Sequence, residues 1–217
     1  MKISALSQSS GVSVATIKFY LREGLVPAGR LTATNQAEYD EQHVRRLRLI
    51  RALKQVGGMS VASMRGILVE VDSDTVSLHD AFGSVMHALD PPLSPDADVE
   101  LLAEVDEVRA WLRRRSWDIM PEAPAIHRLA EALLTLRSFD FHTRVTDFDS
   151  AADSAEQVAE LEVATARFQL DRTAAVETML VGTLVYERAL AELRRLALEA
   201  VSARTEPVAP ARRRGRQ

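Results

Sequence analysis

The sequence predicts a mainly all-α fold, interrupted by one small β-hairpin near the N-terminus. Three observations predict it. Aliphatic residues and Ala supply most of the 47% hydrophobic fraction, whereas only 5% of the residues are aromatic. Gly and Pro are sparse, with 9 and 8 among 217 residues. Apolar residues recur at intervals of three and four along most of the chain, which is the period of an amphipathic helix. A chain of this length can form one or two domains.

The first two predicted helices flank a turn at Gly11. Ile3 and Leu6 give the first helix its apolar face, and Ser13 is the predicted N-cap of the second. At 100° per residue, the inward positions of the second helix are Val14, Ile17 and Leu21. The outward face then carries Ala15, Thr16, Phe19 and Glu23, with Lys18 and Arg22 on one flank and Tyr20 on the other. Hydroxyl, cationic and aromatic groups on one exposed helix face are typical of a helix that enters the major groove of DNA.

A hairpin and two further helices are predicted next. The segment from Arg30 to Tyr39 has the pattern of an extended hairpin, with Asn35 near its tip. A third helix runs from Asp40 to Val56 and stops at Gly57-Gly58. Its apolar positions are Val44, Leu47, Ile50 and Leu53, and its basic positions are Arg45, Arg46, Arg48, Arg51 and Lys54. Ser60 caps a fourth helix, buried through Val61, Met64, Leu68 and Val71, whose free N-terminal amides can hold a phosphate.

This order of elements resembles the mercury-resistance-regulator (MerR) family, which has an N-terminal winged helix-turn-helix. The matching segments are Ile3–Leu6, Gly11-Val-Ser, Thr16-Ile-Lys-Phe-Tyr20, Arg22-Glu-Gly-Leu25, Tyr39-Asp-Glu41 and Val44-Arg-Arg-Leu-Arg-Leu-Ile50. The resemblance covers about the first third of the chain. It implies a transcriptional regulator that binds promoter duplex DNA as a homodimer on a near-palindromic site. Activators of that family untwist an overlong promoter spacer, so RNA polymerase is an implied neighbour.

The sequence departs from the family pattern at two places. Lys18 and Phe19 stand where the family has Arg and Tyr, which removes a bidentate fork and a hydroxyl. The wing sequence Asn35-Gln-Ala-Glu38 lacks the usual Tyr-Arg pair, so that Arg30 or an amide has to replace the missing cation. The residues predicted to contact DNA are Ser13, Thr16, Lys18, Phe19, Tyr20, Arg22, Arg30, Asn35, Gln36, Tyr39, Arg46, Lys54 and Ser60.

The rest of the chain predicts a helical body. A short helix at 77–89 is followed by the Pro-rich segment Asp90-Pro-Pro-Leu-Ser-Pro95. The helix at 96–117 carries a heptad-like stripe of Leu101, Val105, Val108 and Leu112, which suits helix pairing. Another helix spans 126–139, with Pro121 and Pro124 before it. The segment 154–198 predicts one or two long helices with Gly182 as a candidate break; its predicted buried set includes Leu161, Phe168, Val176, Leu180, Leu184, Leu193 and Leu196.

These patterns divide the chain into four predicted segments. Residues 1–71 form the DNA-binding domain, 72–95 a linker with a short helix, 96–204 a helical dimerisation and effector domain, and 205–217 a disordered Arg-rich tail. The dimer helix is expected either at 96–117 or among the C-terminal helices. The alternative is that these stripes build only the core of one monomer.

Aromatic residues in the body are candidates for an effector pocket for an apolar or aromatic small molecule. They are Trp111, Trp117, Phe139, Phe141, Phe148, Phe168 and Tyr186. Ordinary core packing is the alternative for each of them, and no pattern identifies the ligand. Two alternatives to a regulator stay open: a protein that sequesters a drug or another small molecule, and an architectural DNA-binding protein without an effector.

Composition limits the remaining classes of function. The absence of Cys excludes disulfides and thiolate metal sites, and the five His residues show no paired helical spacing, so no metal or other cofactor is predicted. No Gly-rich phosphate loop or nucleophile motif favours an enzyme. There is no long apolar run and no leader-like start, so we expect a cytoplasmic protein without a membrane span.

Charge is distributed unevenly along the chain. Residues 1–70 hold ten Lys/Arg against five Asp/Glu, a net charge of +5, whereas residues 71–203 hold 12 against 25, a net charge of −13. The last 14 residues carry +4. Their Arg212-Arg-Arg-Gly-Arg216 run is a candidate for nonspecific phosphate contact, and a basic terminus without a function is the alternative. A basic N-terminal part on an acidic body directs that part towards DNA.

Overall fold

A computed structural model describes residues 1–33, 36–73, 75–90, 93, 98–169 and 171–205. These ranges form a mainly helical fold with one two-stranded antiparallel hairpin, as predicted. The elements are α1 (Ile3–Ser10), α2 (Val14–Arg22), β1 (Arg30–Ala33), β2 (Gln36–Glu38), α3 (Glu41–Gln55), α4 (Val61–Asp72), α5 (Leu78–Leu89), α6 (Val99–Arg114), α7 (Pro124–Ser138), a 3-10 turn (Val145–Phe148), α8 (Asp149–Arg167) and α9 (Arg172–Thr205). Asn35 and the tail from residue 206 lie outside the described residues. No helix in the described ranges is long and apolar enough to cross a membrane.

The turn between α1 and α2 depends on Gly11 and Ser13. Gly11 ends α1 with a φ of 68°, in the left-handed region that glycine tolerates best, and its N–H donates to the Ser7 carbonyl. The Ser13 hydroxyl accepts a hydrogen bond from the Thr16 N–H at 3.2 Å. The predicted turn and N-cap are therefore confirmed.

The start of the hairpin depends on a close approach of the backbone at Gly29. Arg30 pairs with Glu38 and Leu31 with Ala37 across the two strands. A Cβ on Gly29 would lie 2.8 Å from both the Glu38 carbonyl oxygen and the Tyr39 ring, so only glycine fits there. The entry to β1 is thus fixed by the residue that precedes it.

Two capped helices complete the N-terminal part. The Asp40 carboxylate accepts hydrogen bonds from the Gln42 and His43 N–H groups, and its hydrogen bond with the His43 ring lowers the pKa of Asp40. Ser60 caps α4 by accepting from the Ser63 N–H at 3.1 Å. The predicted apolar stripes are buried: Val44, Leu47, Ile50 and Leu53 on α3, and Met64, Leu68 and Val71 on α4.

The first hydrophobic core extends beyond residue 71. Phe82 and Val85 of α5 and Val176, Leu180 and Leu184 of α9 belong to the same buried cluster as the stripes of α3 and α4. The segment 72–95 therefore does not only link two parts, since its helix is a structural member of the first core. The proposed segment boundary does not coincide with a boundary between cores.

A second core is formed by α6, α7 and the start of α8. The stripe of α6 packs against Ile126, Ala130 and Leu133 of α7 in the same chain. The buried Glu104 carboxylate accepts hydrogen bonds from the Arg137 guanidinium, which ties the two helices together. The heptad-like pattern of α6 is therefore used for packing within one chain, and it is not free for a partner.

The break between the last two helices differs from the prediction at Gly182. The chain leaves α8 after Arg167, and the Asp171 carboxylate starts α9 by accepting from the Ala174 N–H at 2.7 Å, which lowers the pKa of Asp171. Gly182 lies inside α9, where α8 packs: a Cβ there would stand 3.3 Å from Glu162 Oε2. The glycine permits close packing of the two helices and does not end either of them.

Several apolar residues expected in the core are exposed. Val176, Leu180 and Leu184 are buried as predicted, but the predictions for Leu161, Phe168, Leu193 and Leu196 were wrong. Phe168 is 86% exposed because it lies where α8 ends and the chain turns. Leu193 and Leu196 lie on the part of α9 that continues past the last core residue, Leu184.

Polar contacts fix the start of α9 on the N-terminal helices. The Arg172 guanidinium donates to the carbonyl oxygens of Ser73 and Ser77 at 3.2 and 3.4 Å. Arg45 of α3 pairs with Asp171 at 3.4 Å. Glu177 lies near Arg46, Arg45 and Asp72, and burial raises its pKa more than the two arginines lower it.

We expect Glu177→Gln to stabilise the protein increasingly as the pH rises. The pKa of Glu177 in the folded protein lies above its ordinary value of 4.5. The wild type therefore loses stability as the pH rises above the ordinary pKa of 4.5 and through the raised pKa of Glu177 in the folded protein. The glutamine variant does not, because its amide cannot ionise. Urea denaturation from about pH 5 to about pH 8 measures the difference. Glu160→Gln on the exposed side of α8 is the matched control, and a Glu177→Gln effect that does not vary with pH would contradict the prediction.

Candidate nucleic-acid interface

The exposed face of α2 carries two cations, one of which, Arg22, lies 4.0 Å from the Glu23 carboxylate. Lys18 is exposed and the Arg22 side chain is 72% exposed. The buried face consists of Ile17 and Tyr20, with Val14 and Leu21 half-buried beside them. The predicted outward position of Tyr20 was wrong: it is 4% exposed, because Leu25 and Val26 after the helix extend the core beneath it.

Phe19 is only partly available at the surface. It is half-buried and packs against the first core, with its ring centroid 5.7 Å from that of Tyr20. The Arg22 guanidinium lies over the ring, 5.5 Å from its centroid. The predicted outward position of Phe19 is therefore only partly correct, and a substitution there disturbs packing together with the surface.

A shallow cleft brings α2 and the end of α3 together. It is lined by Ser13 and Thr16 from the start of α2 and by Arg51 and Lys54 from α3. The hydroxyls of Ser13 and Thr16 lie 2.8 Å apart. Hydroxyl and cationic groups at a helix N-terminus are the donors that phosphate oxygens accept from. Sequence reasoning predicted Lys54 in this role and left Arg51 out.

Arg65 fixes the other end of α2. Its guanidinium donates to the Glu23 carbonyl oxygen at 3.2 Å and to the Glu23 carboxylate at 3.1 Å. This contact joins α4 to the residue that ends α2. Sequence reasoning missed Arg65, although it lies on the first turns of α4, where the phosphate contact was expected.

Two residues predicted to contact DNA are buried. Tyr39 packs edge-on against His43, with ring centroids 5.2 Å apart, and it belongs to the first core. Arg46 is 7% exposed and pairs with Asp72, so its charge joins α3 to α4. Both predictions were wrong, because a long amphipathic side chain on an α3 or wing position can turn inward when a partner or an apolar wall is present.

The remaining predicted contacts lie on the surface, and two of them already have partners. Arg30 pairs with Glu38 across the hairpin at 2.7 Å. The Ser60 hydroxyl caps α4 and lies 2.9 Å from the Ser63 hydroxyl. Gln36 is exposed on the hairpin. The wing therefore offers the Gln36 amide and the Arg30 cation. Arg30 has to leave its ion pair with Glu38 before it can contact a phosphate.

The aromatic residues of the body do not form one pocket. Trp111 and Trp117 pack 6.2 Å apart in the second core, with Arg115 near both rings. Phe139, Phe141 and Phe168 are exposed. Phe148 packs against the second core. The prediction that these side chains gather around one ligand was therefore wrong, and Tyr186 alone of the set borders the cavity described next.

A cavity of about 430 Å³ lies between α5, the segment joining α6 to α7, α8 and α9. Its walls are mainly apolar, and Phe82, Met86, Ile119, Met120 and Met179 contribute to them. Glu162 and Glu187 bring carboxylates to the same cavity. Sequence reasoning missed it because four separate elements supply the walls, so no local pattern marks it. Within the described residues, no group of three or more potential ligands is placed to hold a metal ion.

The fold and this surface together define a class, the winged helix-turn-helix proteins. Residues 1–70 match the family model described as MerR HTH family regulatory protein. The chain belongs to the MerR family of helix-turn-helix regulatory proteins.

Three known proteins are similar to this chain. A crystal structure of SCO5550 from Streptomyces coelicolor A3(2), a candidate transcriptional regulator, is 34% identical, with 96% of this chain and 99% of that one covered and a TM-score of 0.78. The HTH-type transcriptional regulator ZntR homolog of Haemophilus influenzae is 42% identical over 50 residues, which are 23% of this chain and 37% of that protein. The chain thus matches little more than a third of that curated relative's length.

The third is the transcription regulator PbrR691 from Ralstonia metallidurans CH34, crystallised in complex with lead(II). It is 23% identical, with 67% of this chain and 92% of that chain covered and a TM-score of 0.35.

We expect the two sides of α2 to differ sharply in their contribution to stability. Tyr20→Ala should lower the free energy of unfolding by about 3 kcal/mol, as is usual for truncating a buried aromatic side chain. Lys18→Ala, two positions earlier on the exposed side, is the matched control and should change it by less than about 0.5 kcal/mol. Urea denaturation followed by circular dichroism measures both. Equal effects would mean that Tyr20 faces solvent, as the sequence alone predicted.

Proposed function

We propose that this protein is a sequence-specific DNA-binding transcriptional regulator. It acts as a homodimer on near-palindromic promoter sites, and a small molecule bound by the helical body modulates it. The observation that carries the proposal is the arrangement of α2. Lys18 and Arg22 are exposed on one helix, and the cleft at its N-terminus combines two hydroxyls with Arg51 and Lys54.

The exposed cations suit the sugar-phosphate backbone, whereas the exposed helix face beside them suits the bases. A recognition helix places its N-terminal residues against base edges and leaves flanking cations for phosphates. Thr16 lies at the N-terminal end of α2 and Arg22 at its last position. We assign Thr16 to the groove and Lys18 and Arg22 to phosphates, with Gln36 reaching the backbone from the hairpin.

The contacts of α5 and α9 favour a regulator over an architectural protein or a sequestering protein. Both helices line the cavity, and both also pack in the first core against α3 and α4. A ligand that repositions α9 therefore acts on the helices that support α2. A sequestering protein would need no such connection, and an architectural protein would need no cavity. RNA polymerase is the neighbour that a promoter-bound regulator would influence.

We assign the dimer interface to the exposed C-terminal end of α9. Beyond Leu184, the helix continues for about six turns, and Leu190, Leu193 and Val201 recur on one side of it. At 100° per residue, this is the side on which Met179, Thr183 and Tyr186 line the cavity. Apolar side chains in a stripe on an exposed helix call for a partner, and a second copy provides an identical stripe. The α6 stripe is already buried within the chain.

We expect Leu193→Asp combined with Val201→Asp to convert a dimer into a folded monomer. Two carboxylates at the centre of an apolar helix pair would be buried without partners. Sedimentation equilibrium at micromolar concentration measures the mass, and circular dichroism measures the helix content. Glu199→Lys, on the opposite side of the same helix, is the control and should remain dimeric. A monomeric wild type, or a double variant that stays dimeric, would contradict the assignment of α9.

We expect Arg22→Ala to weaken binding to all duplexes to a similar extent. Loss of one phosphate contact removes one released counterion, so the slope of log affinity against log salt should fall by about 1. Titrations against a site selected from a random duplex pool and against an unrelated duplex measure both quantities. Arg113→Ala removes an exposed cation from the body and should change neither. A loss confined to one base position, with an unchanged salt slope, would show that Arg22 contacts a base.

A further inference from the structure

We infer that the cavity between α5, α8 and α9 binds a hydrophobic organic cation, whose charge is held by Glu162 and Glu187. This inference gives a chemical class to the effector of the proposed function. It rests on that proposal for its regulatory meaning and on the cavity alone for the binding itself.

The walls suit an apolar body of drug-like size. The volume of about 430 Å³ lies within the roughly 300–1,000 Å³ of small-molecule sites. Phe82 and Met179 come from the first core, whereas Ile119 and Met120 come from the segment before α7. Met120 lies against Gly83 of α5, where a Cβ would stand only 2.8 Å from Met120 Cε. Methionine side chains adapt to irregular ligands because they are unbranched and polarizable.

The charges in the cavity favour a cation. Burial raises the pKa of Glu162, and the charge of Glu187 raises it further. Burial also raises the pKa of Glu187, with a contribution from Asp90. Within the described part of the chain, neither glutamate is in an ion pair with a Lys, Arg or His side chain. Two carboxylates that repel each other beside apolar walls are stabilised by a ligand that brings a positive charge.

None of the other side-chain acids and bases that line the cavity contributes to the pKa shift of either glutamate. They are His79, His87, Asp118 and Arg167. Arg167 is exposed, and its charge does not contribute to the pKa shift of either glutamate. Asp118 adds a third carboxylate. An anionic ligand would therefore meet net negative charge, and a neutral one would leave the two glutamates uncompensated. Tyr186 adds an aromatic face, which attracts organic cations.

Calorimetric titration of the full-length protein without DNA tests the inference. The probes are phenylhexyl-trimethylammonium, phenylhexanol and phenylheptanoate, which share an apolar body and differ in charge. We expect the ammonium ion to bind at least tenfold more tightly than the alcohol, which corresponds to about 1.4 kcal/mol, and the carboxylate to bind least. Glu162→Gln combined with Glu187→Gln should remove the advantage of the ammonium ion and leave the affinity for the alcohol unchanged. Glu160→Gln combined with Glu199→Gln is the matched control on the exposed sides of the same helices and should behave as the wild type.

A variant that fills the cavity separates this site from binding elsewhere. Ala159→Trp places an indole in the cavity and should abolish binding of all three probes, whereas Ala164→Trp on the same helix should not. Equal affinities for the ammonium ion and the alcohol, or an advantage that survives the double glutamine variant, would overturn the inference. Binding of the ammonium ion with these variant effects, but without any change in DNA affinity, would support the inference and contradict only the regulatory part of the proposed function.

Discussion

The docking of α9 on the N-terminal helices is the interaction on which the rest of the structure depends. Val176, Leu180 and Leu184 supply its apolar part, inside the same core as α3, α4 and α5. Arg172 supplies its polar part by donating to two carbonyl oxygens next to α5. The cavity lies between α5, α8, α9 and the segment before α7, and the exposed end of α9 continues the same helix that is docked here. The N-terminal helices, the cavity and the exposed end of α9 are thus positioned relative to one another by a single helix.

Local signals predicted the N-terminal third well. Gly11, Ser13, Asp40 and Ser60 each act within four residues of their own position, so the sequence alone shows what they do. The position of Tyr20 could not be predicted in the same way. A tyrosine ring can lie on the buried or the exposed side of a nine-residue helix. Tyr20 is buried because Leu25 and Val26, which come after the helix, belong to the same core.

The body was predicted less well, because its structure depends on contacts between distant segments. The apolar stripe of α6 could pack against a helix of another chain or of the same chain. It packs against α7 of the same chain, and the sequence of α6 does not show this. Glycine often interrupts a helix, but Gly182 is a packing position because Glu162 of α8 lies against it. Aromatic residues were a poor guide to the cavity, since most of its apolar side chains are aliphatic or sulfur-containing, and no short pattern distinguishes these from core residues.

The continuity of the first core also bears on how such a protein can be altered or can evolve. A fragment ending at residue 71 would leave the sides of α3 and α4 that face α5 and α9 without their apolar cover. The N-terminal part therefore does not have a complete core of its own, and it cannot be joined to an unrelated domain without loss of apolar contacts. Substitutions around the cavity can change its shape while α5 and α9 are retained, whereas grafting the N-terminal third onto an unrelated body would expose the apolar sides of α3 and α4.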